Sequence, residues 1–379
     1  MLSGIQAPGG SAGEPTRPSP GLLDCDLPLM RAYDTAMLDL DGVVYIGGDA
    51  VAGAAEHLES ARRAGMHLAF VTNNASRTPD QVAERLRALN IPAQPTDVVT
   101  SAQAAARMMA GMVAAGANVL VVGGEGLVAA LAEHDLHAVT SADDGPAGVV
   151  SGFHPDLGWR GLAEGAIAVG RGLPWVASNT DLTLPTARGL VPGNGTLVAA
   201  ITTATGRRPE VAGKPQTPLF DETVLRVGAE RPLVVGDRLD TDIEGANNSA
   251  AHSLLVMTGV TDLQAVVSAP TRQRPTYLSV DLAGLAAPQT QVDVFTPKSS
   301  DSSAYAECGG WRASVDEAGR VCLSGTGATD DGLRATVAVA WAWTSQYADE
   351  GSPSGGPKPE VRPVLDILGL EPRRDEQIR

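Results

Sequence analysis

Thr35-Ala36-Met37-Leu38-Asp39-Leu40-Asp41-Gly42-Val43-Val44-Tyr45 is the stretch on which the fold of this chain turns. Its apolar run, Ala36-Met37-Leu38, stops abruptly at two carboxylates spaced two apart, Asp39 and Asp41. In an extended chain, residues i and i+2 share a face, so both acids can address one point in space. Gly42 lets the backbone turn tightly and come close to a ligand. An acid pair just past the carboxyl end of a buried strand lies where open α/β sheets place their chemistry. A solvated Asp-x-Asp-Gly turn would look the same locally, so the segments around it have to decide.

Downstream, Gly53 to Ala64 has helical spacing of Ala and Leu and closes at Gly65, a C-cap residue. His67 to Val71 is a second apolar run, ending in Thr72-Asn73-Asn74. Thr78-Pro79-Asp80 opens a helix that runs to about Leu89, with Thr78 as N-cap and Pro79 at the first helical position. Strand, helix, strand, helix is the rhythm of a doubly wound parallel sheet. From Ala105 to Pro209 the rhythm restarts on its own terms. Strands are expected at Asn118 to Val122, Gly148 to Ser151 and Trp175 to Ser178, and helices at Leu127 to His134, Leu162 to Arg171 and Thr196 to Ala204. A Gly/Pro-rich loop fills the interval up to Gly195. The first sheet then resumes, with a helix at Pro218 to Val227 and strands at Pro232 to Val235 and Ser253 to Met257, a helix beginning near Thr241 between them.

After Pro270, Pro275 and Pro288 the character changes. Short alternating stretches, an Ala/Val/Trp helix at Leu333 to Tyr347 and a Gly/Pro/Ser loop at Gly351 to Pro359 suggest a small α+β unit. The expected organisation is therefore a leader at 1–22, an α/β core at 23–104 and 210–285, an inserted α/β domain at 105–209, and a C-terminal α+β unit at 292–370.

Composition narrows the function. Twenty-eight Lys and Arg against 44 Asp and Glu leave a net charge of −16. With no basic run, nucleic acid is not an expected partner. Cys25, Cys308 and Cys322 are odd in number and far apart, which fits a reducing cytoplasm and argues against a disulfide framework or a zinc site. No apolar run reaches the ~18 residues of a membrane span, and the Gly/Pro/Ser-rich first twenty residues lack a signal-peptide core.

Three further segments carry chemistry. Thr72, Asn73 and Asn74 offer a hydroxyl and two amides that could bind anionic oxygens without adding charge, or could simply cap the Thr78 helix. Lys214, in Gly213-Lys214-Pro215, is a point charge suited to a phosphoryl group and is held extended by Pro215, although a lone Lys is more often a solvated surface residue. Val234-Val235-Gly236-Asp237-Arg238-Leu239-Asp240-Thr241-Asp242 repeats the opening theme of apolar strand, glycine and acids. Asp237 and Asp242 could ligate a hard cation such as Mg²⁺, while Asp240 and Thr241 could equally cap the next helix.

Taken in this order, Asp-x-Asp-Gly, Thr-Asn-Asn, Gly-Lys-Pro and Gly-Asp-Arg-x-x-Thr-Asp resemble the haloacid dehalogenase superfamily of phosphatases. The insertion between the second and third motifs resembles the C2a cap of the NagD / p-nitrophenylphosphatase branch, as does the run from Ser178-Asn179-Thr180-Asp181 through Pro185-Thr186 and Pro192-Gly193-Asn194-Gly195 to Thr205-Gly206 and Pro215. The resemblance covers about Ala32 to Val280. It implies an aspartyl-phosphate on Asp39, with Asp41 as general acid and then general base. It also implies Mg²⁺ held by Asp39, the Asp41 backbone carbonyl and Asp237 with Asp242 in support, and phosphoryl oxygens clamped by Lys214, Thr72 and backbone amides near Gly42. Substrate choice would then belong to the cap loop Asn179 to Gly195. Relatives acting on pyridoxal phosphate carry a His before the Pro of this loop; Leu184 stands there instead, with no aromatic nearby, which favours a small aliphatic phosphate unless Leu184 merely packs against the core.

With its extra C-terminal unit, the chain resembles the actinobacterial glycerol 3-phosphate phosphatases, in which the appended unit is acetyltransferase-like. Cys322-Leu323-Ser324-Gly325-Thr326-Gly327 begins with Cys where an acetyl-CoA loop would begin with Gln or Arg, so no transferase activity is expected. The Leu333 helix instead reads as packing against the phosphatase or a partner chain. Glycerol 3-phosphate is the leading substrate, with a nucleotide monophosphate, phosphoglycolate or a phosphosugar as alternatives. A phospho-accepting signalling domain is the rival of another class, but there the acid pair precedes a lone phosphorylated Asp and no cap intervenes. Cap-mediated dimers are common in the branch, which leaves a homodimer open.

Overall fold

The computed structural model describes residues 21–186, 188–296, 304–348 and 358–370. Residues 1–20 of the expected leader and 351–357 of the expected Gly/Pro/Ser loop lie outside the described residues. The chain divides into two compact units, Leu68–Glu230 and a second formed by the residues up to His67 and from Arg231 onward.

In the second unit, Thr35–Leu38, Pro232–Gly236, His252–Val256 and Tyr277–Ser279 form successive parallel pairs. Every residue of these strands is buried. Parallel strands covered on both faces require such unbroken apolar runs, which is why the pattern was legible as strand without alternation. Asp39 directly follows the first strand, and Asp237 follows Gly236 at the end of the second. The amide of Asp39 donates to the Val235 carbonyl (2.9 Å), extending the pairing to the acid itself.

The C-terminal segment adds an antiparallel sheet of Asp293–Phe295, Tyr305–Cys308, Trp311–Val315 and Val321–Gly325, in that order. A 20-residue helix, Thr329–Ala348, packs on it. The segment does not close a core of its own: Ala306, Ala313, Val337 and Trp341 share one apolar cluster with Leu239, Ile243, Leu255 and Val266. Trp341 Nε1 donates to the Val266 carbonyl (2.9 Å), and Asp330 accepts from Ser279 Oγ (2.7 Å). The expectation that this helix packs against the α/β part holds. Gly325 and Gly327 sit tightly against neighbouring backbone: a Cβ on Gly325 would lie 2.2 Å from the Gly310 carbonyl oxygen and one on Gly327 2.3 Å from that of Gly309.

In the unit Leu68–Glu230, the strand ending at Thr72 pairs in parallel with Val98–Thr100. A five-stranded parallel sheet runs Glu210–Val211, Trp175–Ala177, Gly148–Ser151, Asn118–Val122, His137–Val139. The helix Pro79–Ala88 starts with a capping box in which Thr78 and Gln81 bond each other's backbone amides. Two elements differ from expectation. A helix at Ser101–Ala110, in which Thr100 and Gln103 form a capping box, spans the 104/105 boundary assigned to the insertion. The Gly/Pro-rich interval after Ser178 contains an antiparallel hairpin, Thr183–Thr186 against Gly189–Pro192. Among the described residues no helix is long and apolar enough to cross a membrane.

Candidate active site

The acids converge at the carboxyl ends of the parallel strands Thr35–Leu38 and Pro232–Gly236. Asp39, Asp237 and Asp242 each bring a carboxylate oxygen within 4.8 Å of the other two, with Asp39 half-buried and the others buried. Three like charges this close, two of them removed from water, repel strongly unless a cation sits among them. Hard oxygen donors in a tight group suit Mg²⁺, so the donor set fits the ion that the motifs imply.

Backbone shape enforces this convergence. Gly42 has φ +88°, and a Cβ on it would lie 2.5 Å from Asp237 Oδ2. A Cβ on Gly236 would lie 2.2 Å from the Asp242 Cβ, and one on Gly259 would lie 1.8 Å from Asp237 Oδ2. Asp242 Oδ2 accepts from the Arg238 amide (3.1 Å), Asp237 Oδ2 accepts from the Val260 amide, and Thr258 Oγ1 donates to the Gly42 carbonyl (2.6 Å). The segment Thr258-Gly259-Val260 is therefore part of the site and was missed. Its signal was a glycine shortly past the apolar strand His252–Val256, in the same place relative to its strand as the acid-bearing segments but without an acid.

Asp41 is exposed, on the turn whose Gly42 amide donates to the Tyr45 carbonyl (2.8 Å). That amide is committed within the turn, so the glycine's contribution here is its left-handed backbone and close approach to Asp237. Asp240 pairs instead with Arg238 (2.9 Å), outside the acid cluster.

In the other unit the polar motifs gather around Asn73. Its Oδ1 accepts from the Lys214 amide (2.8 Å), and its Nδ2 donates to the Lys214 carbonyl (3.1 Å) and to Asp181 Oδ2 (3.2 Å). Its own carbonyl accepts from Ser101 Oγ and Asn179 Nδ2, both at 2.6 Å. Asn74 Oδ1 accepts from the Ser76 amide (2.9 Å) and hydroxyl (2.8 Å), and Thr72 Oγ1 from the Asn74 amide (3.1 Å). Both carboxamides expected to bind an anion are thus engaged by protein partners, and they hold the backbone in place. Lys214 is 3 % exposed, with Nζ 3.5 Å from the Val71 carbonyl oxygen, and its bond to Pro215 is cis. Leu184 lies in the hairpin opposite Val191, half-buried.

A parallel α/β scaffold ending in convergent carboxylates is the architecture of a cation-assisted enzyme acting on an anionic group. Comparison with known proteins agrees. Residues 36–137 match the model of the haloacid dehalogenase-like hydrolases, and residues 211–285 match a second, HAD-hydrolase-like model. A D-glycerol 3-phosphate phosphatase of Mycobacterium tuberculosis is 44 % identical over 85 % of this chain and 89 % of its own length. An acid sugar phosphatase of Staphylococcus aureus is 35 % identical over 67 % of this chain and 96 % of its own length. Among solved structures, the glycerol phosphate phosphatase of M. tuberculosis in complex with magnesium superposes with a TM-score of 0.76 at 41 % identity, over 92 % of this chain and 100 % of that one. The chain belongs to the haloacid dehalogenase-like hydrolase family.

Proposed function

We propose that this protein is a Mg²⁺-dependent phosphatase that hydrolyses a small phosphate monoester, with glycerol 3-phosphate as its substrate. The observation that carries the reading is the convergence of Asp39, Asp237 and Asp242 at the strand ends. When bound there, Mg²⁺ would offset the negative charge that otherwise keeps a carboxylate and a phosphate apart. Asp39 attacks phosphorus in line, the P–O bond to the alcohol breaks, and an aspartyl-phosphate forms. Asp41, exposed beside it in sequence, donates a proton to the departing alkoxide and then takes one from the water that hydrolyses the intermediate. Lys214 and Thr72 bind the phosphoryl oxygens, with Asp237 and Asp242 completing the metal set.

Glycerol 3-phosphate is favoured because the similarity to the M. tuberculosis enzyme extends over 85 % of the chain. Leu184 in the hairpin suits a short aliphatic alcohol better than an aromatic ring. The 35 % identity to an acid sugar phosphatase supports a phosphosugar as the second reading. The domain scheme with an inserted cap, a cytoplasmic location and a homodimer belong to the same proposal. Phosphate release from glycerol 3-phosphate, phosphoglycolate, sugar phosphates, nucleotides and pyridoxal phosphate decides the substrate. The highest kcat/KM on glycerol 3-phosphate is expected, and activity confined to nucleotides would overturn the assignment.

A further inference from the structure

Lys214, the proposed phosphate ligand, is buried and gripped through its backbone by Asn73, which also meets Asp181 of a loop distant in sequence. Asn73 meets both backbone polar groups of Lys214, with Oδ1 on the amide (2.8 Å) and Nδ2 on the carbonyl (3.1 Å). A carboxamide can do this in one orientation only, because a flipped group would set oxygen against oxygen and nitrogen against nitrogen. The second proton of Nδ2 points to the Asp181 carboxylate, 3.2 Å and 3.5 Å from its two oxygens. A flipped Asn73 would present its oxygen to that carboxylate, so Asp181 penalises the wrong orientation as well as rewarding the right one.

Asp181 is held firmly enough to act in this way. Its amide donates to Asn179 Oδ1 (3.1 Å), and its carbonyl accepts from the Gly195 amide (2.9 Å). A Cβ on Gly193 would lie 2.3 Å from the Asp181 carbonyl oxygen, and one on Gly195 2.2 Å from that of Thr180. Asn194 Nδ2 donates to the Asn179 carbonyl (2.7 Å), closing the loop on itself. At the receiving end, a Cβ on Gly213 would lie 2.6 Å from Asn73 Oδ1, so Lys214 enters the clamp with no slack.

We propose that Asp181 is a positioning residue: by fixing the orientation of Asn73 it sets the place of Lys214 and so tunes phosphate affinity from the hairpin-bearing loop. This rests on the assignment of Lys214 to the phosphoryl group. The effect runs through hydrogen-bond geometry, so Asn, which keeps an acceptor at the same reach, should substitute for Asp181, and Ala should not.

The test is competitive inhibition by inorganic phosphate in full-length wild type, Asp181→Ala, Asp181→Asn, Lys214→Gln and the double variant Asp181→Ala/Lys214→Gln. Expected is a rise in the inhibition constant of about tenfold for Asp181→Ala, a loss of the size of one hydrogen bond to a charged group. Asp181→Asn should stay within about threefold of wild type. In the Lys214→Gln background Asp181→Ala should add less than about twofold, because its effect passes through the missing lysine. A merely structural role would weaken binding equally in both backgrounds and sink the proposal, as would Asp181→Asn behaving like Asp181→Ala. Lys214→Gln binding phosphate like wild type would remove the lysine assignment instead, whereas a weakened Lys214→Gln with an unaffected Asp181→Ala would remove this inference alone. If Asp181→Ala does not fold, Asp181→Gln takes its place: one methylene longer, it misplaces the acceptor and should again fall about tenfold behind Asp181→Asn.

Discussion

The two ends of the parallel strands Thr35–Leu38, Pro232–Gly236, His252–Val256 and Tyr277–Ser279 each bury a polar cluster, and they solve the problem of burial in opposite ways. At the carboxyl ends, Asp39, Asp237 and Asp242 crowd their oxygens within 4.8 Å. At the amino ends, the Tyr33 hydroxyl lies 2.6 Å from His252 Nδ1 and 2.8 Å from the Tyr277 hydroxyl, and the three rings meet edge to face. The second cluster is neutral and complete within itself. The first is charged, and its three carboxylates stand close enough for one cation to join them. A buried cluster of like charges therefore marks chemistry, and a neutral hydrogen-bonded one marks architecture.

The hardest blow to that contrast falls on Asp39, the proposed nucleophile. Asp39→Asn should leave the fold intact and reduce turnover by at least about a thousandfold, because the proposed mechanism needs its carboxylate as the attacking group. Single-turnover phosphate release by the purified variant is the measurement; appreciable turnover would end the mechanism. Next comes Gly259→Ala, whose Cβ would lie 1.8 Å from Asp237 Oδ2. Displacing that carboxylate should lower kcat/KM by roughly 10- to 100-fold and raise the Mg²⁺ concentration needed for half-activity, as losses next to a metal ligand usually do. An unchanged Mg²⁺ requirement would show that Asp237 is not a ligand.

Metal should also separate the two ends in stability. Mg²⁺ at a hundred times its dissociation constant should stabilise the folded protein by about 2.7 kcal/mol, read as a shift in urea denaturation. Asp237→Asn should abolish that shift, whereas a change at His252 should leave it in place.

Legibility in the sequence followed the range of the contacts. Asp39 could be read because it follows an apolar run directly and Asp237 because it follows one with only Gly236 between, while Asp41 and Asp242 lie two and five residues further along. Gly259 and Val260 follow such a run too, but without a charged side chain they drew no attention. The clamp on Lys214 was illegible for another reason: Asn73 lies 108 residues from Asp181 and 141 from Lys214, so no local pattern links them. The Tyr33 cluster spans 219 and 244 residues in the same way. The helix Ser101–Ala110 was overlooked although its start is marked in the sequence, by Thr100 as N-cap and Gln103 three residues on, which form a capping box. The C-terminal segment was readable as α+β, but its sharing of one core with the α/β strands is a tertiary fact that composition does not encode.

The smallest expected effect tests the neutral end of the contrast. His252 is 3 % exposed, and burial holds its pKa below the usual value of 6.5. The folded protein therefore keeps the imidazole neutral at a pH where the unfolded chain would protonate it. Between the two pKa values the unfolded state binds more protons, so stability must fall as pH drops below about 6.5, by up to about 1.4 kcal/mol per pH unit. Above that pH the contribution is fully present and flat. His252→Phe cannot titrate, so it should cost some stability at pH 7.5 through the lost bond to Tyr33 while showing a shallower decline towards pH 5.5. Urea denaturation of both proteins without metal at the two pH values reads the difference. Parallel declines would mean that the imidazole is protonated in the fold, and the amino end would then share the charged character of the acid end instead of opposing it.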